Sequence, residues 1–158
     1  MDEFSAFYRA EFRPVARTVY LIVHDAQRAE DITQEAFLTL LQHWKKVSRY
    51  ERPGAWVRRV AIRLATKQAR RERLRGLLER EGPAPSGASP ADVDLMRAVA
   101  LLPPNQRAAV VLFYFEDRPI AEIVDLMSCS PSAAKVWLHR ARQTLAEQLT
   151  EEVPEDVC

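Results

Sequence analysis

Apolar residues recur along most of this chain at intervals of three and four. Phe4, Phe7, Tyr8, Phe12, Val15, Val19 and Ile22 fall on one such stripe, which predicts an amphipathic helix with one face turned to a core. Pro14 lies inside it as a candidate kink. Asp25 is placed to cap a second helix running to about Val47. In that helix Phe37, Leu40, Leu41 and Trp44 are the apolar positions. Pro53 stands near the start of a third helix, where its missing N–H costs least, and Trp56, Val60 and Leu64 give that helix its inner face.

The periodicity stops at residues 82–90, GPAPSGASP. A stretch rich in Pro, Gly and Ser without apolar spacing reads as a flexible linker. Beyond it Leu95, Val99 and Leu102 form a short stripe, and Pro103 and Pro104 end that helix and start the next, Asn105 to Phe115. A helix from Pro119 to Met127 follows, then a break at Ser128, Cys129 and Ser130, then a last helix from Pro131 to Leu149. Ser130 suits the N-cap and Pro131 the first helical position. Nothing alternates as a strand does. The expected fold is all-α: two small helical domains, residues 1–80 and 94–150, joined by a linker at 81–93 and followed by a tail at 151–158.

A short helix, a three-residue turn and a longer helix describe a helix-turn-helix. On the longer helix Ala134, Leu138, Ala141 and Leu145 should face inward. Lys135, His139 and Arg142 lie on another face with Arg140 beside them. That arrangement leaves a basic stripe free to enter a major groove, with Ser132 at the start of the helix and Trp137 either half-buried or against a thymine methyl. A solvated basic face on an ordinary helical hairpin is the competing reading.

Charge changes the picture of the first half. The 158 residues carry a net charge of only +1, which argues against a general DNA coater, yet ten of the residues from Arg52 to Arg80 are basic and only Glu72 and Glu79 are acidic. The end of the chain is acidic instead: Glu147, Glu151, Glu152, Glu155 and Asp156. A basic block in a near-neutral chain points to a local polyanion site. Arg59, Arg63, Lys67 and Arg70 form one stripe along the third helix. Like charges so spaced destabilise an isolated helix by a few tenths of a kcal/mol per pair, which a polyanion would relieve. Tyr50 and Trp56 flank the stripe, as suits stacking on unpaired bases, although Trp56 fits a core equally well. On the second helix Asp31, Gln34, Glu35 and Leu38 present an acidic and apolar surface. This fits a protein partner, or simply a solvated acidic helix start.

Other function classes find little support. The chain is 47% hydrophobic and 28% charged, as a soluble globular protein is. There is no phosphate-cradling Gly-rich loop, no nucleophile motif and no paired-His metal motif. Cys129 and Cys158 have neither Cys-x-x-Cys nor zinc-ligand spacing. No catalytic residue, metal or cofactor is expected. Asp2 and Glu3 without a following apolar run argue against a secretory leader, no run reaches the roughly 20 apolar residues of a membrane span, and a cytoplasmic location is expected. A nucleic-acid-handling enzyme would need a metal or acid–base cluster, which the sequence does not offer. A stand-alone dimeric helix-turn-helix regulator remains the alternative to a transcription factor that works through a partner.

Three segments, in this order, resemble the extracytoplasmic-function group of sigma factors, the promoter-recognition subunits of bacterial RNA polymerase in the sigma-70 family. AEDITQEAFLTLLQHW is similar to the core-binding part of region 2. RPGAWVRRVAIRLATKQARRERL is similar to its melting and −10-reading part. LPPNQRAAVVLFYFEDRPIAEIVDLMSCSPSAAKVWLHRARQTL is similar to region 4, the −35 reader. The resemblance covers most of the chain. It implies that Asp31, Gln34, Glu35, Phe37 and Leu38 dock on the β′ clamp helices. It implies that Tyr50, Trp56, Arg59, Arg63, Lys67 and Arg70 melt or read the −10 element. Ser132, Lys135, Val136, Trp137, His139, Arg140 and Arg142 would read the −35 element, region 4 would touch the β flap, and an anti-sigma protein would hold the factor inactive. The chain departs from the family at Arg63 and Lys67, where Asn and Asp are common, at Ser128 in the turn, usually Gly, and at Ala133–Ala134 and Val136–Trp137 on the recognition helix.

Overall fold

The computed structural model describes residues 2–76 and 90–151, and among these every regular element is a helix. The first half holds α1 (Asp2–Val23), α2 (Ala26–Gln42), the short α3 (Trp44–Val47) and α4 (Pro53–Leu74). The second holds α5 (Pro90–Leu101), α6 (Pro104–Val110) running into a π-helical turn (Val111–Phe115), α7 (Ile120–Met127) and α8 (Pro131–Glu151). The expected linker falls mostly outside the described residues, and its last four positions form the first turn of α5. All of the tail beyond Glu151 lies outside them as well.

The helix ends follow from local chemistry. His24 takes a left-handed φ of 55° and its N–H returns to the Tyr20 carbonyl, an αL stop that glycine more often provides. The Asp25 carboxylate then accepts the Arg28 N–H at 3.1 Å, as an N-cap should. Pro14 lies within α1 without ending it. The second helix is shorter than expected. At His43 the backbone leaves helical geometry, at φ −111° and ψ 11°, and the imidazole Nδ1 sits 2.9 Å from the Thr39 carbonyl. The chain turns there, and Trp44 folds back onto Phe4 and Phe7, each 5.4 Å away between ring centres.

Helices α1, α2 and α4 pack together around Val15, Val19, Ile22, Ala36, Phe37, Leu40, Val57 and Ala61. Tyr8 and Phe12 close over Phe37 at 5.2 and 5.6 Å, in the tilted and edge-on geometries aromatic rings prefer. In the second half α8 packs on α6, α7 and α5 around Leu102, Leu112, Ile123, Leu138 and Ala141. These two groups form one continuous apolar core, because α7 and α6 lie against α4 while α5, α6 and the π turn touch α1.

Polar contacts reinforce that junction. Arg107, at 2% exposure, sends Nη1 to the carbonyl of Ile22 at the end of α1 and Nη2 to the Leu102 carbonyl at 3.0 Å. The Thr18 hydroxyl donates to the Glu116 carboxylate. Burial, with Arg73 nearby, pulls the Arg107 guanidinium down to about 10, so it stays charged at neutral pH. Burial and then the Arg107 charge lower His24 to about 4, so its imidazole is neutral there.

Candidate nucleic-acid interface

The helix-turn-helix is built by α7 and α8. Ser128 ends α7 in the left-handed region, at φ 51° and ψ 51°, a conformation that costs a residue with a Cβ about 1 kcal/mol or more. The Ser130 hydroxyl then accepts the Ala133 N–H at 3.1 Å and caps α8. Ala134, Leu138 and Ala141 are buried against α6 and α7, and their spacing fixes which side of α8 is free. Ser132, Lys135, Val136, His139, Arg140 and Arg142 are exposed. Trp137 is half-buried and packs on the core. Its ring therefore helps hold α8 in place as well as facing its flank.

On α4, Val57, Val60, Ala61 and Ala65 point inward. The opposite side carries Arg63, Lys67 and Arg70 exposed, and Arg59 half-buried. Arg59 is drawn out of the stripe by an acid the sequence did not single out. Its Nη2 pairs with the Asp125 carboxylate of α7 at 3.0 Å and its Nε donates to the Asp125 carbonyl at 3.2 Å. The stripe and the end of α7 thus form two walls of a cleft of about 300 Å³, with Asn105, Leu126, Met127 and Ser128 opposite Arg63, Lys67 and Arg70. Tyr50, 42% exposed, stands on the loop before α4. Trp56 is half-buried and lies 5.6 Å from the His43 ring.

The candidate protein-docking surface lies on α2. Asp31, Gln34, Glu35 and Leu38 are exposed, Leu38 at 61%. Phe37 is different: at 2% exposure it is a core side chain and forms the floor of an apolar groove of about 200 Å³ walled by Phe4, Tyr8, Leu38 and Leu41. Leu41, expected inside with Phe37 and Trp44, stands instead at the rim of that groove, 37% exposed. Phe4 and Tyr8 of α1 also line this groove, although their apolar spacing predicts only a core role.

Among the described residues no three His, Cys, Asp or Glu side chains come together as a metal site would need, and no helix is long and apolar enough to cross a membrane. Burial raises the Cys129 thiol pKa above its ordinary value, the direction opposite to that of an activated thiolate.

Two family models match the chain: sigma-70 region 2 over residues 7–75 and sigma-70 region 4 over residues 92–145. The RNA polymerase sigma factor CarQ of Myxococcus xanthus is 34% identical over 142 residues, covering 82% of this chain and 79% of its own length. A probable RNA polymerase sigma factor of Xanthomonas campestris, RfaY, is 30% identical over 145 residues and 81% of this chain. Of that longer relative the chain spans 36%. Among solved structures, the sigma factor RpoE of Bartonella quintana, crystallised with the anti-sigma factor NepR, superposes with a TM-score of 0.69. It covers 97% of this chain and all of its own, at 20% identity, a likeness of fold.

Proposed function

The chain belongs to the sigma-70 family, in its extracytoplasmic-function group, and from that premise we propose that it binds core RNA polymerase through α2 and directs it to promoters through α4 and α8. The observation that carries this reading is the pairing of two separate basic faces on one chain, one on the recognition helix of a helix-turn-helix and one along α4 beside Tyr50. The groove between α1 and α2, with exposed Leu38 at its edge and Asp31 and Glu35 nearby, supports a docking role for α2. In this reading residues 1–80 form the part that binds core polymerase and the −10 element, and residues 94–150 the part that binds the −35 element.

In this mechanism the chain makes no or breaks no bond; polymerase supplies the chemistry, in the cytoplasm where promoters are. Phosphate contacts from Arg63, Lys67 and Arg70 position DNA, and each steepens the log–log salt dependence by about 0.9. Tyr50 offers a stacking face to an unpaired base, worth about 1–3 kcal/mol. Lys135, Val136, His139 and Arg140 face the major groove. The −10 and −35 elements lie about one and a half to two helical turns apart, roughly 50–70 Å at ~34 Å per turn. The junction of α4 with α7 therefore has to open before both elements are read, and the closed arrangement is that of the free subunit. An anti-sigma protein is the expected regulator.

The experiment is retention on bacterial core polymerase. Phe37 is a poor probe, since truncating a buried Phe costs about 3–5 kcal/mol of stability. The exposed pair Glu35→Lys with Leu38→Ala leaves the core intact. Retention of the wild type and loss by this variant supports the reading. No retention of a folded wild type would sink it, and a self-associating protein with its own palindromic site would take its place.

A further inference from the structure

At the end of α6 the helix widens. The Glu116 N–H reaches back five residues to the Val111 carbonyl at 3.1 Å, the mark of a π turn, and such single turns concentrate at functional sites because the extra residue re-aims the side chains around it. Here it brings two neighbouring rings to one place. Phe113 and Tyr114 stand edge to face, 4.9 Å apart, and the guanidinium carbon of Arg142 lies 5.7 and 5.6 Å from their ring centres. The Arg142 Nε donates to the Tyr114 hydroxyl. Tyr114 is 51% exposed although it is large and aromatic, so the core does not account for its position.

Arg142 sits on the flank of α8. Ala134, Leu138 and Ala141 mark the inward line, and at 3.6 residues per turn Arg142 points roughly a quarter-turn away from it. Ser132, Val136 and His139 point further outward. In a helix lying in a major groove, the outward side meets base edges and the flank meets the sugar-phosphate wall. Of the five N–H donors of a guanidinium, Tyr114 takes the one on Nε. Among the described residues nothing else is bonded to Arg142, and the two terminal nitrogens form the planar fork that fits a phosphate.

We propose that Tyr114 is a positioning residue for DNA recognition: together with Phe113 it holds the Arg142 guanidinium so that its terminal fork meets a backbone phosphate beside the −35 element. This rests on the reading of α8 as the −35 reader. A flexible arginine must be ordered each time it binds; one already stacked and hydrogen-bonded has less freedom to lose. The contact sets register on the duplex and carries no sequence preference of its own.

The test measures promoter binding by the assembled holoenzyme against salt, on fragments with intact and altered −35 sequences. Arg142→Gln is expected to reduce the log–log salt slope by about 0.9 and to weaken binding equally on both fragments. Tyr114→Phe keeps the ring and loses the hydroxyl; Tyr114→Ala loses both. Losses of about three-fold and ten-fold, independent of −35 sequence, are expected, because these solvent-exposed contacts pass only part of their strength to the bound state. In the Arg142→Gln background neither change should have a further effect. Wild-type affinity and slope in Tyr114→Ala, or effects that multiply in the double variant, would overturn the proposal. Melting temperature and retention on core polymerase separate these from misfolding, and Tyr114→Phe decides if Tyr114→Ala proves unstable. Lys135→Gln and Arg140→Gln serve as controls. If binding ignores both of these and the −35 sequence, the reading of α8 fails and the positioning role falls with it. If binding responds to them but not to Tyr114, the positioning role alone fails.

Discussion

Arg59 and Asp125 join the two halves of the protein through one guanidinium: Nη2 meets both carboxylate oxygens, at 3.0 and 3.1 Å, and Nε meets the Asp125 carbonyl at 3.2 Å. Asp125 lies in the last turn of α7, where the helix dipole also favours a cation. The same Arg59 belongs to the stripe expected to meet promoter phosphates. In the function proposed above, closure of the subunit and engagement of DNA would compete for this one side chain.

The pair is partly solvated, with the side chains 37% and 56% exposed, so its worth is at most about 1 kcal/mol. Asp125→Asn should loosen the closed form only several-fold. Asp125→Arg, which sets like charges together, should shift it further and expand the chain in small-angle X-ray scattering. Adding Arg59→Asp should restore compactness. Identical scattering from the wild type, the Asp125→Arg variant and the double variant would show that this pair does not govern closure.

Arg107 is the buried counterpart of that contact. Arg107→Met removes the donors to the Ile22 and Leu102 carbonyls and leaves both without their present partner. A loss of about 2–4 kcal/mol in urea unfolding is expected. The two halves share a core, so the wild type should unfold in one transition and this variant in two, followed by tryptophan fluorescence for Trp44 and Trp56 against Trp137. A variant as stable as the wild type would mean that water or movement satisfies these carbonyls at little cost.

His24 should make the fold acid-sensitive. Its native pKa is depressed from 6.5 to about 4, first by burial and then by the Arg107 charge. The unfolded chain therefore binds a proton that the folded one refuses. Stability is retained above pH 6.5 and lost as pH falls towards 4, by up to about 3 kcal/mol. Asn also tolerates the left-handed backbone of this position, so His24→Asn should flatten the dependence in melting temperatures recorded from pH 7.5 to 4.5. Parallel curves for the two proteins would count against His24 as the source.

Ser128→Gly should relieve the turn of the helix-turn-helix. At φ 51° the serine Cβ is strained, and the gain, net of the added freedom of the unfolded chain, is about 0.5–1 kcal/mol. A rise of a few degrees in melting temperature is the expected outcome; a fall would mean that the Ser128 side chain contributes more than its backbone costs.

Most of the helices were legible because their causes are local. The three-and-four spacing of Phe4 to Ile22, the Asp25 and Ser130 caps and the prolines at 53, 104 and 131 act within a turn or two of themselves, and the structure places each where that chemistry puts it. The outward faces of α4 and α8 were legible for the same reason, since the buried stripe fixes the side that stays free of the core, although not which neighbour meets it. The turn at His43 was not legible, because it depends on Trp44 reaching rings some forty residues earlier.

The chain's order of residues by itself determined the helical class, the helix-turn-helix and the basic stripes, and it carried enough of the family's motifs to identify the family. Only the tertiary structure decided that Leu41 rims a groove while Phe37 fills the core beneath it, that Arg59 is spent on Asp125, that Arg107 is buried across the junction, and that Tyr114 meets Arg142. Each of these pairs residues from different helices. Periodicity reports which side of a helix is buried, but not which neighbour covers it, and a charge or ring acquires its role from that neighbour.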